Sequence, residues 1–73
     1  MVGGRIIGIK KKDKKRQTLL VLDNTYAHDT CRIDVGIEHP VKLWDNVWWQ
    51  SGYAFWTPLN GKETKIKRLS YSY

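Results

Sequence analysis

Residues 47–56, VWWQSGYAFW, hold five aromatic rings in ten positions. Side chains along an extended chain alternate between the two faces of a sheet. Trp48 and Trp49 therefore cannot enter one core together, and neither can Phe55 and Trp56. Ser51-Gly52 suits a two-residue hairpin turn. That turn sets a register in which Gln50 pairs with Tyr53, Trp49 with Ala54, Trp48 with Phe55 and Val47 with Trp56. One face then carries Val47, Trp49, Ala54 and Trp56, each large ring opposite a smaller side chain, as a close-packed interior requires. The other carries Trp48, Phe55, Tyr53 and Gln50. Trp49 and Trp56 are expected inside, and Trp48 and Phe55 outside or along a cleft.

The rest of the chain also reads as strands, and no window of helical length sustains apolar spacing at i, i+3, i+4 and i+7. RIIGI (5–9) is short and β-branched. TLLVL (18–22) is a continuous apolar run, as expected of a strand covered on both faces. In CRIDVGI (31–37), Cys31, Ile33, Val35 and Ile37 alternate with Arg32, Asp34 and Gly36, giving one buried and one wet face. Residues 23–29 read as a loop, and Pro40 ends the third strand. VKLW (41–44) resumes an extended segment before a tight turn at Asp45-Asn46, and Asn60-Gly61 supplies a second hairpin turn. In the last strand, 63–73, the apolar phase changes between Ile66 and Leu69, which places a bulge near Lys67–Arg68. The expected fold is all-β: a single domain forming a five- or six-stranded barrel of the SH3-like or OB-like kind.

Size and cysteine content limit how such a barrel is held together. A chain of 73 residues buries roughly 60% of its unfolded surface. The single cysteine, Cys31, excludes an internal disulfide. The N-terminal apolar run is too short for a signal peptide, and no stretch approaches the roughly 18 apolar residues of a membrane span. A reducing, cytoplasmic setting without a membrane is expected.

Charge divides the chain. The net charge is +6. KKKDKKR (10–16) carries +5, from six cations against Asp13, and KETKIKR (62–68) carries +3, from four cations against Glu63. Between them, 17–61 is −3, and Arg5 completes the total. The 10–16 segment is the tip of a long hairpin or a flexible loop. Lysines at tips and edges keep small sheets soluble and unpaired, whereas basic segments brought together attract phosphates.

The stretch LWDNVWWQSGYAFWTP (43–58) resembles a recurrent pattern in short phage and prophage proteins. In that pattern a Gly-Asp turn leads to Val-Trp-Trp-Gln, a glycine, and then aromatic-Trp-Thr-Pro. Here Trp44 stands where the pattern has its first glycine. The resemblance implies a small SH3-like barrel and no particular activity.

Catalysis has little support in these residues. The seven acids are scattered, and Asp29 and Asp34 approach a His, Arg or Cys only in sequence. His28, Cys31 and His39 supply three of the four ligands that a structural zinc needs. Gly3-Gly4 and Gly8 lack the Lys-Ser/Thr and helix of a phosphate loop. The chain is read as a non-enzyme with no metal and no cofactor.

Two binding classes remain. Single-stranded nucleic acid is held by a basic groove with aromatic rings on which bases stack. On that reading Lys10, Lys11, Lys12, Lys14, Lys15, Arg16, Lys65, Lys67 and Arg68 contact phosphates of DNA or RNA, and Trp48, Tyr53 and Phe55 stack bases. The same rings could instead lie under another part of the barrel, the 23–29 loop, or Tyr71 and Tyr73. The second class is protein binding. Ile6 with Ile7, Leu20 and Leu22 with Leu19 and Val21, and Trp48 with Trp49 put apolar residues on both faces of three strands. Uncovered apolar surface marks an interface, here with a host protein or a second copy in a homodimer.

Overall fold

The structure is a computed structural model that describes residues 2–23, 30–50 and 52–72. It is all-β. The strands are β1 (Val2–Lys11), β2 (Arg16–Asp23), β3 (Thr30–Gly36), β4 (Asn46–Gln50), β5 (Tyr53–Thr57) and β6 (Thr64–Ser72). All neighbouring pairs are antiparallel, and the sheet closes on itself in the order β1-β2-β3-β6-β5-β4. Two three-stranded meanders, β1–β3 and β4–β6, are thus joined along two seams, β3 with β6 and β1 with β4. No helix among the described residues is long and apolar enough to cross a membrane.

The β4–β5 hairpin has the register expected from its turn, with Trp49 opposite Ala54 and Trp48 opposite Phe55. Val47, Trp49, Ala54 and Trp56 are buried, whereas Trp48 and Phe55 are half-buried and Tyr53 is half exposed. Leu19, Val21, Cys31, Ile33 and Val35 complete the interior from β2 and β3. Each such side chain contributes about 1.5–3 kcal/mol by leaving water. The Cys31 thiol is buried 3.7 Å from the Val21 carbonyl oxygen.

Several expectations are corrected, each for a local reason. Leu20 is half-buried and Leu22 exposed, so the 18–22 run is covered on one face only. Ile37 is exposed: β3 ends at Gly36, and Ile37, though its N–H still donates to the Lys15 carbonyl in register, lies past the end of the strand. Asp34 faces outward yet is buried, with its carboxylate accepting from the Thr18 hydroxyl at 2.7 Å and from Lys12 Nζ at 2.8 Å. The ladder slips at Ile7 in β1, so that Ile6 points inward opposite Val21, Ile7 is the unpaired extra residue and half-buried, and Gly8 faces Leu20. The slip in β6 falls at Leu69, just beyond the Lys67–Arg68 position expected for it. Residues 24–29, with His28, lie outside the described residues.

VKLW is not extended. Leu43-Trp44 forms a turn, closed by Asp45 N–H to Lys42 C=O, and β4 starts directly at Asn46. The turn is stitched to β1 at Ile6, which donates to the Asp45 carbonyl and accepts from Trp44 N–H. Meeting both bonds forces Trp44 to φ 76°, the left-handed region that favours glycine. This is the position where the resembling pattern has glycine. The next turn is centred on Leu59-Asn60, with Gly61 N–H on the Pro58 carbonyl, one residue before the expected Asn60-Gly61.

One buried carboxylate ties these turns together. Asp45 Oδ2 accepts from Lys42 N–H at 3.0 Å and from Trp56 Nε1–H at 2.8 Å, and Oδ1 accepts from Leu59 N–H at 3.1 Å. Buried polar groups are stable only when satisfied, and here one side chain serves two loops and a core ring. Gln17 does similar work elsewhere. Its buried amide donates to the Gly36 and His39 carbonyls at 3.0 and 2.8 Å.

Candidate nucleic-acid interface

The outward residues of β4, β5 and β6 form two rows. Cross-strand pairing aligns Gly3, Trp48, Phe55 and Lys65 in one, and Gln50, Tyr53 and Lys67 in the next. A side chain at position 3 could not coexist with the present Trp48. A Cβ there would lie 2.9 Å from Trp48 Cε3 and would also collide with the Val47 carbonyl. The glycine thus lets the indole lie down across β1, which accounts for its half-burial. Lys65 Nζ sits 4.0 Å from the Tyr53 ring centroid, a cation–π contact between the two rows.

The lysine-rich segment is the tip of the β1–β2 hairpin, and Asp13 pins it. Asp13 Oδ1 accepts from Lys15 and Arg16 N–H at 2.8 and 2.9 Å, and Oδ2 accepts from Arg16 Nε and Nη2 at 3.0 and 2.9 Å. The Lys15 backbone N–H and the Arg16 guanidinium hold the Asp13 carboxyl below the usual carboxylate range. The one acid in KKKDKKR therefore gives its cations a defined shape.

Strand register brings that tip to β6. Arg16 pairs with Gly36, and Val35 pairs with Arg68, so Lys67 lies level with the end of β3. Lys14, Lys15 and Lys67 consequently line one hollow of about 390 Å³ with Leu69 and the 36–39 loop. The hollow also holds an acid. Glu38 Oε1 is 3.3 Å from His39 Nε2, and the Glu38 carboxylate occupies the space a side chain at Gly36 would need. Lys67 is the register partner of Tyr53, so the hollow and the aromatic rows meet at Lys67.

The twelve sequence-predicted residues thus separate into groups. Lys14, Lys15, Lys65, Lys67, Trp48, Tyr53 and Phe55 form one track. Lys12 is bound to Asp34, and Arg16 to Asp13, so both are engaged within the fold. Arg68 is half-buried, and its register opposite Val35 gives it the inward phase of β6. Lys11, opposite buried Gln17, lies apart from the rings, and Lys10 belongs to the outer face of β1 and β2. One contributor was not anticipated: Gly3, which has no sequence signal beyond its lack of a side chain.

No three His, Cys, Asp or Glu side chains gather as metal ligands among the described residues. Comparison with known proteins adds nothing to this geometry: no family model matches the chain, and no curated protein or solved structure does either.

Proposed function

We propose that this barrel binds single-stranded nucleic acid without catalysing a reaction. One observation carries the reading: lysines from two distant segments, Lys14 and Lys15 with Lys67, line one hollow, and Lys67 is the cross-strand partner of Tyr53 in the rows that hold Lys65, Phe55 and Trp48. Phosphates would meet the ammonium groups, which are among the flexible, strongly hydrated cations suited to backbone contact. Bases would stack on the rings; Tyr53 is 50% exposed, and Lys65 Nζ, now 4.0 Å from its centroid, would swing to a phosphate as a base takes its place.

Salt titration tests this directly. With the four track lysines each neutralising a phosphate, log K against log salt should fall with a slope of about −2.8, from roughly −0.7 per phosphate on single strands. Replacing Lys14, Lys15 and Lys67 by Gln should flatten that slope and weaken all sequences alike. Tyr53→Ala should instead weaken binding by about 1–3 kcal/mol and leave the slope unchanged. Absence of binding to a mixed-sequence oligonucleotide at low salt would sink the reading.

A second reading, a protein-interaction module of phage type, is favoured by a different observation. Trp44 is 53% exposed despite its left-handed backbone, and Leu43 and Leu59 are exposed as well. Strain retained under an exposed ring invites a functional reason for that ring. Two substitutions separate strain from function. Trp44→Ala and Trp44→Gly both remove the indole, but only glycine relieves the backbone, so Trp44→Gly should be the more stable by about 1 kcal/mol in denaturant unfolding. If the indole anchors a host protein or a second copy, both variants lose that complex, and the wild-type complex is insensitive to salt. A complex unaffected by either change removes this reading.

A further inference from the structure

The ring order gives the barrel a second face, on which aliphatic and cationic side chains meet. β2 and β5 are separated by two strands whichever way the ring is followed, so their outer surfaces point in opposite directions. The β5 side carries the track of rings and lysines. On the β2 side Gly8, Leu20 and Arg32 are cross-strand neighbours, and Lys10 pairs with Thr18 in the adjacent row.

These residues line a hollow of about 310 Å³, together with Ile9. Its floor is apolar. Gly8 leaves room for Leu20, whose Cβ would lie 3.2 Å from a Cβ at position 8. Its flanks are cationic. Lys10 and Arg32 take part in no ion pair among the described residues, and none of the lining residues is acidic. Among the described residues, Asp34 is the register partner of the lining residue Thr18, and its carboxylate is already occupied by Lys12 and Thr18. An apolar floor between a lysine and an arginine fits a base lying flat with phosphates at either side, and the guanidinium can itself stack on a base.

We infer that the outer face of β2 is a second contact for single-stranded nucleic acid, so that one barrel joins two strand segments. This rests on the nucleic-acid reading of the β5 side. The occupant is argued from charge, since a neutral or basic partner would leave two cations facing it unanswered. The two segments would sit on opposite sides of a body whose extents are 32 × 26 × 22 Å. That separation is too large for one short strand to contact both faces without wrapping around the barrel.

A two-strand capture experiment tests the inference. Biotinylated oligothymidylate is immobilised, and protein is added at limiting amount, followed by fluorescent oligothymidylate, which cannot base-pair with the first strand. Wild-type protein should retain the fluorescent strand. The Lys10→Gln/Arg32→Gln variant, which changes only exposed side chains, should still load onto the immobilised strand while retained fluorescence falls to background. Wild-type protein that loads but retains no second strand overturns the inference and leaves the β5 reading intact. Undiminished bridging by the double variant also overturns it, and would assign bridging to a dimer of single-faced barrels. Failure of wild-type protein to load on any strand removes both readings at once.

Discussion

Trp49→Ala and Trp56→Ala are each expected to destabilise the protein by about 3–5 kcal/mol, and Trp48→Ala by far less, although the three rings share one hairpin. Trp49 is 2% exposed and Trp56 8%, and both fill the interior of the ring. Trp56 also stacks its edge near His39, with centroids 6.5 Å apart, and donates its indole N–H to Asp45. Trp48 lies on the outside over Gly3 and stays half in water. A chain of this length has roughly 4–11 kcal/mol of total stability. Either interior substitution therefore removes a large part of it, and urea unfolding will show the difference. Equal losses at Trp48 and Trp49 would refute the face assignment.

Removing the Asp45 carboxylate should be nearly as damaging. In Asp45→Ala the Trp56 indole N–H and the Lys42 and Leu59 amides all lose their acceptor. Each buried donor left unpaired costs about 1–3 kcal/mol, so a loss of about 3–5 kcal/mol is expected after partial access of water to the loops. Asp45→Asn discriminates the cause. All three partners are donors, and an amide offers only one oxygen, so its NH2 must confront at least one of them. Asparagine should therefore fall between aspartate and alanine. An Asp45→Asn protein as stable as wild type would show that the site depends on shape rather than on acceptor number.

The hairpin was legible in the sequence because everything that determines it is local. A two-residue turn sets the register, and the alternation of Val47, Trp49, Ala54 and Trp56 assigns the face. The carboxylates were not legible. Asp45 was visible only as a turn former and Asp13 only as a negative charge. The partners of Asp45 include Trp56 and Leu59, 11 and 14 residues away, and those contacts depend on how the turns flanking the hairpin fold back onto it, which neither spacing nor alternation encodes. The same reason limited the candidate site. That Lys14 and Lys15 meet Lys67 depends on two registers in series, β2 on β3 and β3 on β6. That Arg68 leaves the group depends on the slip at Leu69 falling after it. Charge totals showed that two basic segments existed, but the intervening strand decides which of their side chains become neighbours. The left-handed backbone of Trp44 likewise follows from the two bonds that tie its turn to Ile6 in a distant strand, which the residues around it do not announce.

Closure of the sheet has a consequence for how this molecule can change over time. In an open sheet the border strands offer unused N–H and C=O groups, and a partner can be recruited by extending the ladder. Here each strand has a hydrogen-bonded neighbour on both sides. Apart from the ends of β1 and β6 that outrun β4 and β5, recognition would be left to side chains that project outward, and these contribute little to the frame beneath them. Substitutions at Tyr53, Lys65, Lys10 or Arg32 can therefore accumulate with small effects on folding, while Asp45 or Trp49 tolerates almost none. Such a scaffold lets its surface diverge rapidly under selection while its interior stays recognisable.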